Sequence, residues 1–386
     1  MDNKKEIMFT NFNILSSKRV KSSFSFISNE FLSFLFIVYC LANIYQLITD
    51  NNWCYYILSF IIGAIGWYRF ILRKGSKKKG IAIYIAIFIL SGIVNILLRI
   101  NMSLVFLFTE VALFGVFLFL MKSDIQMKHI SFLQYLTFVI FTLYMILGYD
   151  PNKIMTTSQN IVSYIILLHV CIYYLFKEKS NSAVSVYPAV YNFILAIYAK
   201  GRSGIICALA LLVAICYIVM RSEKHFSITV FIVFTTISVS IVILFIFRSF
   251  LLEIISNTTF GVKGLDNSAR LTRWIGYIEG SRTSLIKILF GNDLYSVPLI
   301  AFSNGNAHNS YVQLHAYHGL FALLLHFGLL IKALALCVKR KQSIHFIVLA
   351  IISIRAFADN ILFFQVAYPI VLYVIFSTIS SENTAF

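Results

Sequence analysis

Residues 103–121 read SLVFLFTEVALFGVFLFLM, and Glu110 is the only charged side chain in this stretch. An α-helix rises about 1.5 Å per residue, so such a run is long enough to cross a hydrocarbon core about 30 Å thick. The stretch therefore predicts a membrane-spanning helix.

Similar apolar runs recur along the whole chain. Of its 386 residues, 60% are hydrophobic and only 12% are charged, about half the charged share of an ordinary soluble domain. This composition excludes a water-soluble fold. We expect an all-α, polytopic integral membrane protein that forms a single domain over 1–386, with about twelve transmembrane helices. The predicted spans are 31–49, 53–72, 81–98, 103–121, 130–148, 161–176, 186–199, 204–220, 226–247, 319–338, 345–358 and 361–379.

The distribution of Lys and Arg predicts the orientation of these spans. Both residues concentrate in the short cytoplasmic loops of membrane proteins. If the N-terminal tail, residues 1–30, is cytoplasmic, most of the Lys and Arg fall in that tail and in the short loops on the same side. We therefore expect both termini in the cytoplasm. The net charge of +17 is then a topology signal, and we expect no nucleic-acid partner.

One long segment, 248–318, is predicted outside the membrane between the ninth and tenth spans. The inside loops leave no room for a nucleotide-binding domain, and the chain contains neither GxxxxGK[ST] nor GxGxxG. An enzyme that acts on the outer side cannot draw on cytoplasmic ATP or nucleotide sugars. Any group that it transfers must arrive already activated, and a donor carried by a membrane lipid meets this requirement.

Within the long segment, 266–280 predicts an interfacial helix. Asp266-Asn267-Ser268 supplies an N-cap, and Gly280 would weaken the helix end. Apolar residues at 271, 274, 275 and 278 fall on one face, whereas Arg270, Arg273 and Tyr277 fall on another. Such a helix would hold two guanidinium groups beside the mouth of the helix bundle. Headgroup anchoring by interfacial arginines is the alternative.

A second motif, NGNAHNSYVQLHAYHG over 304–319, leads directly into the tenth predicted span. On a helix, His308, Tyr311, His315 and His318 would share one face. Imidazole near neutral pH can accept a proton from a sugar hydroxyl, as general-base catalysis of glycosyl transfer requires. The alternatives are an interfacial belt of aromatic residues and histidines, or a zinc site. Zinc is disfavoured because the spacing matches no standard site, and we expect no metal.

A third motif is the predicted outside turn Lys200-Gly201-Arg202-Ser203-Gly204. Small residues allow the backbone to approach a ligand closely, and the Arg202 guanidinium offers two parallel donors to phosphate oxygens. A turn with a snorkelling arginine is the alternative.

Charged residues inside predicted spans are candidates for function because they are costly to bury in a membrane. Glu110 has no partner evident from sequence, and it either pairs with an arginine of the site or stays protonated. Arg355 and Asp359 lie four residues apart near the outer end of the eleventh span, where they can neutralise each other. The chain has no Asp-x-Asp pair, so a metal-dependent nucleotide-sugar donor is unsupported.

Together these motifs resemble the O-antigen ligase/polymerase family, the bacterial membrane enzymes of the Wzy and WaaL type. The resemblance rests on Gly201-Arg202-Ser203-Gly204, on Asn267-Ser268-Ala269-Arg270-Leu271, and on His308-Asn309 followed by Gly319. The order of the motifs and the large outside loop before the last spans also match. The resemblance covers 186–379 well and is only topological before that.

The resemblance implies a glycosyltransferase that needs no metal or cofactor and acts at the periplasmic face of the bacterial inner membrane. Its donor would be an undecaprenyl diphosphate-linked glycan. Arg202 and Arg270 would hold the diphosphate, and His308 would act as acceptor base or acceptor positioner. We expect the side chains that bind the substrate to be Lys200, Arg273, Tyr277, Asn309, Tyr311, His315 and Arg355. Other expected partners are membrane lipid and a chain-length regulator and a flippase of the same pathway.

Two branches of the family share this donor and differ in the acceptor. A polymerase uses another lipid-linked repeat unit, whereas a ligase uses the lipid A core. The sequence His315-Ala316-Tyr317-His318-Gly319 resembles the polymerase branch more closely, so we expect a polymerase, with the ligase as the alternative. A transporter of the lipid-linked unit is a further alternative, disfavoured by the single large loop and the absence of paired broken helices.

Overall fold

A computed structural model describes residues 28–72, 78–154, 159–222, 268–363 and 365–380. In these ranges the regular secondary structure is helical. Within the described residues, eight helices are long and apolar enough to cross a membrane, and three shorter apolar helices accompany them. These findings support the all-α class and a multi-pass membrane protein.

The elements are named here in chain order. They are α1 (Asn29–Thr49), α2 (Trp53–Leu72), α3 (Lys78–Leu97), α4 (Leu104–Lys122), α5 (Met127–Ile146), α6 (Pro151–Ile154), α7 (Gln159–Lys179), α8 (Tyr187–Tyr198), α9 (Arg202–Ser222), α10 (Ser268–Arg282), α11 (Leu285–Phe290), a 3-10 helix (Leu294–Ser296), α12 (Pro298–Ala301), α13 (Ser310–Lys339), α14 (Ser343–Ala358) and α15 (Ala367–Ser380).

Most predicted spans coincide with an observed helix, and two boundaries differ for local reasons. The predicted ninth span, 226–247, lies outside the described residues. The tenth was predicted from 319, and the backbone is non-helical at Gly319, so a helical piece does begin directly after the predicted start. Outside it, α13 has a further piece that begins at Ser310, because the Asn309 side chain accepts hydrogen bonds from the backbone of its first turn. The last was predicted from 361, but α15 begins only at Ala367. Backbone N–H groups at 361 and 362 are bonded instead to the Ser310 hydroxyl.

Small residues bring α2 and α4 into backbone contact. A Cβ added at Gly63 would lie 2.6 Å from the carbonyl oxygen of Ala112, and one added at Gly66 would overlap that of Gly115. Membrane helices use such small residues because lipid supplies no hydrophobic force between helices, so close van der Waals packing must hold them together. This pairing fixes α4, the helix that carries Glu110.

The outer segment, 268–309, is fastened to the end of α3 and to the loop that follows it by two asparagines that sequence reasoning did not single out. Asn95 Nδ2 donates to the carbonyl oxygens of Phe290 and Ala316 over 3.0 and 2.9 Å. Asn101 Nδ2 donates to the Asn292 and Ala316 carbonyls over 2.8 and 2.9 Å. These bonds hold α11 and the beginning of α13 in fixed positions above the bundle.

Helix α10 has the two faces that its sequence predicts. Tyr277 is buried, whereas Leu271, Ile275 and Ile278 are about half exposed, as expected of an apolar face turned to lipid. The predicted N-cap residues 266 and 267 lie outside the described residues. Gly280 does not end the helix, and a Cβ there would lie 2.8 Å from the Asn292 side chain.

We predict that Gly66→Val destabilises the protein by separating α2 from α4. Overpacking a tight contact costs about 1–3 kcal/mol, and here the obstacle is backbone, which cannot rotate away. The measurement is the thermal unfolding midpoint of the detergent-solubilised protein. Gly328→Val is the matched control, because a Cβ at Gly328 meets nothing within 4 Å. Equal midpoints for the two variants would contradict the prediction.

Candidate functional site

A buried carboxylate, Asp359, lies immediately after α14. Arg355, one helical turn earlier and fully buried, donates from Nη1 to Asp359 Oδ2 over 2.6 Å. The second terminal nitrogen, Nη2, donates to the Asn160 carbonyl at the beginning of α7 over 3.0 Å. The pairing of Arg355 with Asp359 that their spacing suggests is therefore present, and it also connects α14 to α7.

The other oxygen of Asp359 faces two residues from distant parts of the chain. His308 Nδ1 lies 3.3 Å from Oδ1, and Arg270 Nη2 lies 3.9 Å from the same atom. Arg270 belongs to α10, whereas His308 lies in the loop before α13. One carboxylate thus brings together two of the three residues predicted to be catalytic.

Besides Arg355, two further arginines, Arg202 and Arg273, act on Arg270 electrostatically. Burial lowers the pKa of the Arg270 guanidinium, Asp359 opposes this shift, and the positive charges of Arg355, Arg202 and Arg273 add to it. We call these four arginines, together with His308 and Asp359, the basic cluster. Two of the four guanidinium groups pair with Asp359, and the other two act on Arg270, so the cluster has an excess of positive charge, which suits a doubly charged anion such as a diphosphate.

Asp359 remains ionised at neutral pH. Burial raises the pKa of its carboxyl group, but the charge of Arg355, the hydrogen bond from His308 and the charge of Arg270 together hold the pKa below its ordinary value. An ionised carboxylate only accepts hydrogen bonds, so His308 Nδ1 is the donor in their contact. The other ring nitrogen, Nε2, is then the one that can accept a proton.

The local fold around His308 corrects one expectation. His308 does not share a helix face with Tyr311, His315 and His318, because it lies before the helix with a φ of +50°. Its backbone N–H is held by Asn306 Oδ1 at 2.8 Å. Tyr311 bonds to α14, His315 to α11, and His318 contacts Glu110 of α4, so the residues of this motif do not share one set of neighbours.

The residues directly after His308 anchor its loop. Asn309 Oδ1 accepts from the backbone N–H groups of Tyr311 and Val312. The Tyr311 hydroxyl donates to the Ser353 carbonyl over 3.2 Å. The contacts seen for Asn309 and Tyr311 are structural, and their predicted binding of substrate remains a prediction.

Ser310 is a residue that sequence reasoning missed. Its hydroxyl donates to the backbone carbonyl of Asp359 over 2.8 Å and accepts from the N–H groups of Ile361 and Leu362. The beginning of α13 is therefore bonded to the chain that follows α14. In the sequence, the only sign of this role of Ser310 is that a serine stands where a helix begins.

Tyr277 and His315 form a separate, fully bonded pair. His315 Nε2 contacts the Ile288 carbonyl at 2.8 Å and must donate to it, so Nδ1 accepts from the Tyr277 hydroxyl at 2.8 Å. Burial raises the pKa of Tyr277. These bonds join α10 and α11 to α13, and the contact of Tyr277 and His315 with substrate stays a prediction.

The turn at 200–204 packs against α7. A Cβ at Gly201 would lie 2.5 Å from Asn160 Oδ1, and one at Gly204 would overlap the Ser163 side chain. Lys200 adopts the left-handed conformation, with a φ of +59°. The turn thus places Arg202 at the beginning of α9, next to the residue whose carbonyl binds Arg355.

Two other predicted residues have their own partners. Arg273 Nε donates to the Leu299 carbonyl over 3.2 Å, which joins α10 to α12. Glu110 Oε1 lies 3.2 Å from His318 Nε2, so its partner among the described residues is a histidine and not an arginine of the site.

No family model, curated protein or solved structure matches this chain.

We predict that Asp359→Asn destabilises the protein and alters its response to acid. Removing one partner of a buried ion pair costs about 3–5 kcal/mol. Because the folded-state pKa of Asp359 is lowered, its contribution is present at neutral pH and is lost as the pH falls through that value. Thermal unfolding followed from pH 7 down to about 3 should show this loss in the wild type and not in the variant.

Asp124→Asn is the matched control, since Asp124 is 78% exposed and pairs with Lys179 at 3.8 Å. Exposed pairs are worth about 0–1 kcal/mol. A stability of Asp359→Asn equal to that of the control would show that the carboxylate does not hold the basic cluster together.

Proposed function

We propose that this protein is an O-antigen polymerase, a glycosyltransferase that joins undecaprenyl diphosphate-linked oligosaccharide repeat units into a polysaccharide. The observation that carries the proposal is the basic cluster. Arg202, Arg270 and His308 come from three motifs that are far apart in sequence. Arg270 and His308 contact Asp359, and Arg202 is close enough to act electrostatically on Arg270.

The proposed setting is the bacterial inner membrane. With about twelve spans, a ninth at 226–247 and both termini cytoplasmic, as the positive-inside distribution suggests, the basic cluster would lie on the periplasmic side. The cluster forms at one end of the bundle, where α9 and α13 begin and α14 ends. This is the side on which a lipid-linked glycan is available after a flippase has moved it across. A chain-length regulator is a further proposed partner.

The arginines would act on the donor. During transfer the bond between the anomeric carbon and the diphosphate oxygen breaks, and negative charge accumulates on the leaving lipid diphosphate. Guanidinium groups that are already oriented stabilise that charge in the transition state more effectively than water, which must reorganise. Asp359 lets several arginines remain close together without driving one another apart.

His308 would act on the acceptor. The hydroxyl oxygen of the acceptor sugar forms a bond to the anomeric carbon, and its proton moves to His308 Nε2. The hydrogen bond from Nδ1 to Asp359 fixes the tautomer that leaves Nε2 basic and stabilises the imidazolium that results. His308 is partly exposed, as a group that meets a substrate must be.

We predict that Arg202→Lys and Arg270→Lys each lower polymerisation by about 10²–10³-fold, although both keep the positive charge. Lysine cannot donate two parallel hydrogen bonds to a phosphate. The measurement is the rate of polymer formation from lipid-linked repeat units by the purified protein in liposomes. Arg282→Lys is the control, since Arg282 is an exposed residue at the end of the same helix as Arg270. Unchanged rates in the two test variants would remove these residues from the site.

The function itself is tested by deleting the gene in its host and comparing the lipopolysaccharide on a gel with that of wild type and a complemented strain. We expect a core that carries at most one repeat unit. A core with no repeat unit, while lipid-linked polymer accumulates, would instead identify the ligase. An unchanged ladder would exclude both and would favour the transporter, which is then tested by movement of the lipid-linked unit across vesicles without a new glycosidic bond.

A further inference from the structure

A second pair of ionisable groups lies inside the bundle and has no part in the proposed reaction. Glu110 of α4 and His318 of α13 are each about 1% exposed, and His318 Nε2 lies 3.2 Å from Glu110 Oε1. Apart from this contact, neither His318 Nε2 nor Glu110 Oε2 has a hydrogen-bond partner among the described residues. Charged groups in such a place are costly to keep unless they are paired or neutralised.

The hydrogen bonds around the ring determine how many protons the pair holds. The Ser91 hydroxyl donates its single hydrogen to the Phe88 carbonyl over 2.8 Å, and its oxygen lies 3.0 Å from His318 Nδ1. With the Ser91 hydrogen on that carbonyl, His318 Nδ1 is the donor to the Ser91 oxygen. In a neutral imidazole the other nitrogen, Nε2, is then an acceptor, and it faces a carboxylate oxygen that is also an acceptor.

Two acceptors 3.2 Å apart repel each other unless a proton lies between them. That proton belongs either to the carboxyl group or to the imidazole, and in both cases the pair has no net charge. Without it, one negative charge would be buried with no counter-charge, at a cost of several kcal/mol. We propose that Glu110 and His318 form an intramembrane proton-binding site that holds one shared proton.

Among the described residues, the surroundings of the pair contain few other titratable groups. Tyr84 of α3 and Tyr368 of α15 are close enough to interact electrostatically with Glu110. The Tyr84 hydroxyl is hydrogen-bonded to Tyr368 at 3.2 Å and to His326 Nδ1 at 3.1 Å. From α2, the Trp67 indole donates to the Val111 carbonyl of α4 over 2.9 Å. In the described part of the chain, the proton is therefore enclosed by aromatic side chains and helices.

The proton site fastens one defined piece of α13. Gly319, directly after His318, has a φ of +74°, which breaks the helix, and a Cβ there would overlap the Leu289 carbonyl of α11. Residues 310–318 thus form an outer piece of α13 that is separate from the rest. His318 fixes the inner end of this piece to α4 by means of the shared proton.

The test measures protons bound on folding and does not depend on the proposed function. Above about pH 7.5, an unfolded chain has an ionised Glu and a neutral His, so it lacks the proton that the folded pair holds. The unfolding equilibrium constant of the wild type should then rise about tenfold per pH unit relative to that of Glu110→Gln. The glutamine amide donates permanently to His318 Nε2, so the variant keeps the contact without the proton. The measurement is denaturant unfolding in detergent micelles between pH 7.5 and 9.

Glu178→Gln is the matched control. Glu178 Oε2 lies 2.6 Å from His345 Nδ1, but the pair is partly exposed, so this variant should keep the wild-type dependence on pH. If Glu110→Gln fails to fold, the double variant Glu110→Leu with His318→Phe replaces the pair by apolar side chains and should lack the same tenfold dependence. Parallel curves for the wild type and the tested variant would overturn the proposal.

Discussion

The structure of the candidate site depends on one buried carboxylate. Arg355, Arg270 and His308 come from three elements, and Asp359 is the group that all of them contact. Two like charges about 4 Å apart at an effective dielectric constant of 20 repel by about 4 kcal/mol, so arginines do not gather without compensation. Asp359 provides that compensation, and it still leaves the site positive enough to bind an anion.

Asp359 compensates the charge of the cations, and bonds at the ends of the helices fix the position of each cation. Arg355 is held from the other side by the Asn160 carbonyl. The loop that carries His308 is held by Ser310, whose hydroxyl bonds to the chain around Asp359. The outer segment that carries Arg270 is held by Asn95 and by other polar groups at the top of the bundle. The site is therefore assembled from helix ends, where backbone groups that lack intrahelical partners are available for such bonds.

The sequence predicted the elements much better than it predicted their contacts. The apolar runs located the spans, since length and composition decide whether a helix can cross a bilayer. The pairing of Arg355 with Asp359 was also within reach, because residues four apart on a helix are neighbours. That His308 lies outside the helix was missed, because the hydrogen bonds of Asn309 to the first turn outweigh the periodic pattern. The partner of Glu110 was missed for a different reason: no local rule brings a residue of α4 to one of α13.

The two buried electrostatic centres are connected by residues 310–318. At the beginning of this piece, Ser310 bonds to the chain at Asp359, and at its end His318 meets Glu110. Because Gly319 breaks the helix, the rest of α13 does not by itself fix the orientation of the piece. Its position then depends on the contacts at its two ends, on the bonds of Tyr311 and His315, and on the asparagines that bind the Ala316 carbonyl between them. A change in charge at Glu110 would therefore act on the loop of His308 through a short rigid helix, without any contact between Glu110 and the basic cluster.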